Sequence, residues 1–318
     1  MKMIFSDVIN LVYNGSKINV MLKNGDILEL DFVQLEYPYF YSSDDMLSSK
    51  KISNEVKMAV VSSVPMKLQA LTDNGYVPFS FFRVEAKSPE FVGRLRRNSG
   101  YSAEGNIPYL ERRLGADGII NFAEKLERYA FIDIEEQNGD ITLIGEIDSM
   151  NEAVYYPFYN VNSFLDHLEA EKISCILAWN GDGYDFAEID RRIDRRKVNA
   201  NSLKRWNTIL KLDAMVLYSK YTQQKLMSLN AAGKIEEVGE KLLLEDDFDS
   251  IAMEKLVEYN QRDVELMKDI IKKSAVHNIV MKIANLSGII PNEISATRLA
   301  DNLIIKEKSK EGIVLFDY

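Results

Sequence analysis

The chain has 318 residues, 46% of them hydrophobic and 28% charged, and its 39 Lys and Arg against 49 Asp and Glu leave a net charge of −10. That length sets an expectation of about two domains, and the acidic balance argues against a protein that coats nucleic acid by bulk positive charge, while leaving room for a local basic patch. Two histidines far apart in sequence, His167 and His277, and one cysteine, Cys175, fit poorly with a multi-histidine zinc site or a Ser-His-Asp triad and rule out an internal disulfide.

The opening MKMIFSDVINLVYNG meets Asp7 and Asn10 too early for a signal peptide, and no run approaches the ~20 apolar residues that span a bilayer. An intracellular, reducing compartment is expected. Residues 1–125 read as a β-rich mixed α/β domain. KINVMLKNGDILELDFV alternates about Asn24-Gly25, which predicts a two-residue hairpin. VKMAVVSS and VPFSFFRVEA predict strands, and Ser88-Pro89 opens a short helix over PEFVGRLRRN. Asn106 to Gly118 predicts a docking segment and a helix that stops at the glycine.

Residues 126–280 have a different texture. YAFIDIEE reads as a buried strand with DITLIGEID as its antiparallel partner, and Ser163 is the expected cap of the helix FLDHLEAEK. KISCILAWN is a second buried strand, with Cys175 as a core thiol, and ends in the turn Gly181-Asp182-Gly183 before the helix DFAEIDRRIDRRK. KLDAMVLYSKY, an acidic loop from Glu245 to Asp249, and the long amphipathic pattern MEKLVEYNQRDVELMKDIIKK complete the region. Strands first and helices after predict an α/β sheet domain covered by helices.

Three motifs carry chemistry. Asp133 and Glu135 are two apart on a strand, so both carboxylates face one way. Their mutual repulsion on a buried strand calls for a divalent cation, although an exposed edge would hold the same pair. Asn180-Gly-Asp-Gly-Tyr184-Asp185 follows a strand and opens a helix, where Asp185 also favours the helix N-terminus. Tyr259 and Asp263 are one helical turn apart and share a face, as many unremarkable helical pairs do. Taken together, four carboxylates and a tyrosine are what two-metal phosphodiester hydrolysis needs.

In this order, D-I-E, N-x-x-x-Y-D and Y-x-x-x-D resemble the three exonuclease motifs of DEDD-type 3′→5′ exonucleases, in their tyrosine subclass. PYFY at 38–41, NIPYLERRLGADGI at 106–119, LMSLNAAGKIEEVGEKL and IANLSGIIPNEISATRLADNLIIKE narrow the resemblance to family B DNA polymerases of archaeal type, over almost the whole chain. The resemblance implies an RNase H-like (DnaQ-like) α/β exonuclease domain with a mixed sheet, a family-type N-terminal domain before it, and a return segment at 281–318 that packs on that first domain. It implies Asp133, Glu135, Asp185 and Asp263 as ligands of two ions, Mg²⁺ or Mn²⁺, with Glu135 and Tyr259 orienting the attacking water. Asn180 would approach the DNA end, and Tyr184 and Phe186 would stack on unpaired bases or else pack in the core. The partners implied are a single-stranded or frayed DNA 3′ end and polymerase palm, fingers and thumb, in cis or in trans, near the nucleoid and not at a membrane. The polymerase motifs themselves are absent from the sequence, which ends roughly where the palm would begin; an excised fragment is the expected explanation. A non-catalytic DNA-binding or structural module, or a subunit for a separate polymerase half, is the competing reading. Two basic clusters, Arg191 to Lys197 and Arg94 to Arg97 with Arg112 and Arg113, read as DNA-path or solvated faces.

Overall fold

The computed structural model describes residues 5–14, 17–31, 35, 37–72, 75–104, 110, 117–243 and 251–315. Most of the predicted docking segment and helix at 106–118, including Arg112 and Arg113, and the acidic loop at 245–249 lie outside the described residues. The chain divides into two compact units. Met1–Val20, Glu29–Phe122 and Ala284–Tyr318 form the first, and Met21–Leu28 with Ala123–Ile283 form the second.

The chain opens with β1 (Phe5–Asn14), β2 (Lys17–Leu22), β3 (Ile27–Asp31) and β4 (Tyr39–Ser42). The hairpin at Asn24-Gly25 closes differently from the sequence expectation. Leu22 N–H donates to the Asp26 carbonyl and Gly25 N–H to the Leu22 carbonyl, so the loop holds three residues with Gly25 at φ 81°. That is a turn followed by a left-handed residue, for which glycine has no steric cost. Next come α1 (Asn54–Lys57), β5 (Val60–Thr72), β6 (Gly75–Ala86), α2 (Pro89–Arg96), β7 (Ser102–Ala103) and β8 (Ile120–Phe122). The strand expected over VKMAVVSS starts only at Val60, because Ser53 accepts from Val56 N–H and caps a helical turn first. β1 and β8 pair in parallel, and β5 and β6 form a long antiparallel ladder. Phe40, Val84, Val92 and Leu95 join in one apolar core of this unit.

The second unit begins with β9 (Tyr129–Gln137), β10 (Asp140–Asp148), β11 (Tyr156–Phe158) and α3 (Val161–Ala170). The cap of α3 is Asn160, which accepts from the N–H groups of Asn162 and Ser163; Ser163 is already inside the helix. Then follow β12 (Cys175–Ala178), α4 (Asp185–Arg192), α5 (Ala200–Thr208), β13 (Leu210–Asp213), α6 (Ala214–Thr222), α7 (Leu229–Ile235), α8 (Met253–Ser274) and α9 (Val276–Ser287). The five-stranded sheet runs β11-β10-β9-β12-β13. β10 is antiparallel to β9 and β11, while β12 is parallel to β9 and β13. This is the mixed sheet with helices that the sequence predicts, and Cys175 is buried in it.

The register sorts the side chains of β9 and β10 by face. Gly145 lies opposite Asp133 and Leu143 opposite Glu135, whereas Glu146 lies opposite Ile132 and Asp148 opposite Ala130. Alternation puts the first set on one face and the second on the other. After α9 the chain contributes α10 (Ala296–Lys308) and β14 (Ile313–Leu315), and β14 pairs in parallel with β5. The second sheet of the first unit thus runs β14-β5-β6-β4-β7. Among the described residues the protein has three mixed sheets and ten α-helices, and no helix long and apolar enough to cross a membrane.

Candidate metal centre

β9 extends past the end of β12, so one edge of its last residues has no strand neighbour. There the N–H of Ile134 donates to Asp185 Oδ1 at 3.3 Å. The turn at 180–183 delivers Asp185 to that edge. Asn180 takes φ 66°, and a Cβ on Gly183 would stand 2.6 Å from Asn180 Oδ1, so the turn in this form favours glycine there. On the same face as Asp133, helix α8 supplies Asp263. Carboxylate oxygens of Asp133, Glu135 and Asp263 come within 4.8 Å of one another.

Asn260 wires these acids together. Its side-chain amide donates to Asp133 Oδ2 at 2.9 Å and to Glu135 Oε1 at 3.2 Å, and its oxygen accepts from the Tyr155 hydroxyl at 2.8 Å. Gly145 makes this approach possible, because a Cβ there would lie 1.7 Å from Asn260 Oδ1. Lys241 Nζ sits 2.5 Å from Asp263 Oδ2 and 5.0 Å from the centre of the Tyr259 ring.

One lysine paired with Asp263 does not offset the burial of four acids. Burial, and then Asp185, Glu135 and Asp263, hold the Asp133 carboxyl well above the usual range. Burial pushes Glu135 and Asp185 each up to about 7. It also raises Asp263, although Lys241 opposes that shift. Asp263 Oδ1 is buried with no hydrogen-bond partner. An all-carboxylate set with an orphaned oxygen suits a hard divalent cation. Asp133, Asp263, Lys241, Asn180 and Trp179 line a cavity of about 530 Å³.

The remaining predicted residues fall in several places. Tyr259 is half-buried beside Lys241. Tyr184 is 42% exposed and its hydroxyl donates a hydrogen bond to Glu136, which pushes the phenol up to about 12. Phe186 is buried with its ring against Gly181, so it packs in the core. The basic cluster in the last turn of α4 and just beyond it is largely paired: Arg191 and Arg192 with Glu188, Arg195 with Asp190, and Lys197 with Asp194.

No family model matches the chain, and no curated protein matches its sequence. Among solved structures, the family B DNA polymerase of the hyperthermophilic archaeon Pyrobaculum calidifontis matches with a TM-score of 0.73 at 15% identity, over 99% of this chain. The fold is similar to part of a family B DNA polymerase. The chain spans 51% of the length of that polymerase, and at this identity the likeness is one of fold. What the chain's own residues add is the polar wiring, which the sequence motifs leave out. Asn260 had a signal, since it and Asp263 are the polar members of the buried stripe Leu256, Asn260, Asp263, Val264 and Met267 on α8. Lys241 had none, because it reaches Asp263 from irregular chain.

Proposed function

We propose that this chain is a metal-dependent 3′→5′ DNA exonuclease module akin to the proofreading part of a family B DNA polymerase. It would release nucleoside monophosphates from single-stranded or frayed 3′ ends. The observation that carries the proposal is the gathering of Asp133, Glu135 and Asp263 within 4.8 Å on one face of the sheet, too close for all three to be ionised without a cation. Asp133, Glu135, Asp185 and Asp263 would hold two ions, Mg²⁺ or Mn²⁺. When bound, such a pair supplies an ionised water and offsets the charge that develops on the phosphate. Glu135 and Tyr259 orient the attacking water. Lys241 fixes the Asp263 carboxylate, and Asn260 fixes Asp133 and Glu135. The cavity beside them receives the terminal nucleotide, with Trp179 and Asn180 at its wall. The module works inside the cell, with palm, fingers and thumb supplied in cis or in trans.

The test is digestion of a 5′-labelled primer with a mismatched 3′ end, in Mn²⁺ or Mg²⁺. Stepwise shortening that EDTA and Asp133→Ala both abolish is the expected result. Activity that survives Asp133→Ala would reject this site, and an inactive intact chain would favour a module that only binds DNA.

A further inference from the structure

The face of β10 turned away from Asp133 carries a second group of ligating side chains. Glu146 and Asp148 share that face, opposite Ile132 and Ala130. From α3, His167 brings Nε2 to 3.5 Å from Glu146 Oε1, and one ligating atom from each of the three residues lies within 4.8 Å of the others. The imidazole is flanked by Tyr156 and Phe158, with ring centres 5.1 and 4.9 Å away. Asp148 Oδ1 accepts from the N–H groups of Met150 and Asn151, both at 2.7 Å, which fixes the carboxylate in orientation.

Glu146 is the observation that needs an explanation. Its side chain is 0% exposed, and neither carboxylate oxygen has a hydrogen-bond partner; His167 Nε2 has none either. Buried polar atoms are nearly always satisfied, and an ionised carboxylate in that state is costly. Burial pushes the Glu146 carboxyl upward while His167 opposes that shift, and Glu146 in turn favours the charged imidazole, so a protonated acid and a His167–Glu146 ion pair at 3.5 Å are the competing ways to relieve the cost. Neither a protonated acid nor that ion pair gives a role to the Asp148 oxygen that lies within 4.8 Å of both groups.

We propose that Glu146, Asp148 and His167 form a structural divalent-cation site, separate from the front acids and independent of the exonuclease reading. One imidazole with two carboxylates suits Zn²⁺ better than Mg²⁺, and three protein ligands leave a position for water. Entry is from the His167 side, whose side chain is 18% exposed. The ion ties β10 to α3. Because β10 also pairs with β9 at Gly145 and Asp133, it steadies the strand pair that bears the front acids.

The test uses the full chain, stripped with chelator and titrated with Zn²⁺ in excess Mg²⁺, reading bound zinc and Tm. One tightly held zinc per chain is expected, with a Tm rise on the order of 5 °C at a hundredfold excess over Kd. Asp133→Asn should keep it. His167→Phe, which preserves the ring stack, and Glu146→Gln should lose it. Equal zinc binding by wild type and His167→Phe would overturn the proposal. So would a wild type that takes up no zinc and whose Tm does not rise when Zn²⁺ is added. Should the variants fail to fold, the wild type decides: unchanged His167 ring resonances on adding Zn²⁺ reject the site, and shifted ones support it.

Discussion

The two units treat buried charge in opposite ways. Among the described residues, the first unit buries one carboxylate, Glu104, whereas the second buries Glu135, Glu146, Asp148, Asp185, Asp213 and Asp263. Burial of an acid is expensive without partners, so this asymmetry points to where function resides. It does not make every buried acid functional. Asp213 caps α6 by accepting from Val216 N–H at 3.0 Å and also accepts from Asp182 N–H, and those bonds account for it. The front acids differ because burial raises all four of them even though the Asn260 amide, Lys241 and the Ile134 N–H donate to them.

The sharpest way to probe that contrast is Asn260→Ala. It removes both hydrogen bonds that orient Asp133 and Glu135, and losses of such supporting partners run about 10–100-fold. Exonuclease rate should fall by that factor while the fold, read by circular dichroism, persists. An unchanged rate would mean the amide is only a spacer.

Protonation gives the next largest effect. Glu135 and Asp185 titrate at about 7 in the folded, cation-free chain, above their ordinary values of 4.5 and 3.8. Between those limits the folded chain holds more protons than the unfolded one, so the stabilising contribution is fully present below pH ~4 and is lost as pH rises through ~7. In chelator, Tm should drop by several degrees between about pH 5 and pH 8, and Asp185→Asn should flatten the drop. Added Mn²⁺, which favours the ionised acids, should reverse it. A flat profile for the wild type would contradict the burial account.

Gly145→Ala asks whether α8 must come this close. Its Cβ would meet Asn260 Oδ1 at 1.7 Å and the Tyr155 ring at 2.7 Å. Overpacking of this kind costs about 1–3 kcal/mol, measurable by urea unfolding, and a neutral result would show that the helix can move aside. The smallest effect belongs to the first unit. Lys51→Ala breaks an exposed pair with Asp44 and should shift Tm by less than about 1 °C. A larger shift would mean that surface charge matters more in the first unit than its burial pattern implies.

Legibility followed the range of the interactions. The period of two in YAFIDIEE showed that Asp133 and Glu135 share a face, and the glycine-flanked turn showed where Asp185 begins a helix. Local competition among cap residues was harder to read. Asn160 outcompeted Ser163 because it precedes the first helical residue, and Ser53 turned an expected strand into a helical turn. Phe186 could be read either as a stacking residue or as core, and its burial with the ring close to Gly181 matches the core reading. Least legible were Tyr155 and Lys241, whose partners are set by tertiary packing and not by spacing.

The hydrogen bond from Asn260 to Asp133 closes a span of 127 residues. Closing so long a span is entropically unfavourable until neighbouring contacts have formed, which puts assembly of the acids late in folding. A chain still being synthesised carries Asp133 and Glu135 well before α8 exists. The cluster of acids therefore stays incomplete until that helix docks, and a local opening of α8 would take it apart while the sheet remained folded. Under the proposed function, cleavage of DNA would in this way be tied to the finished state of the molecule.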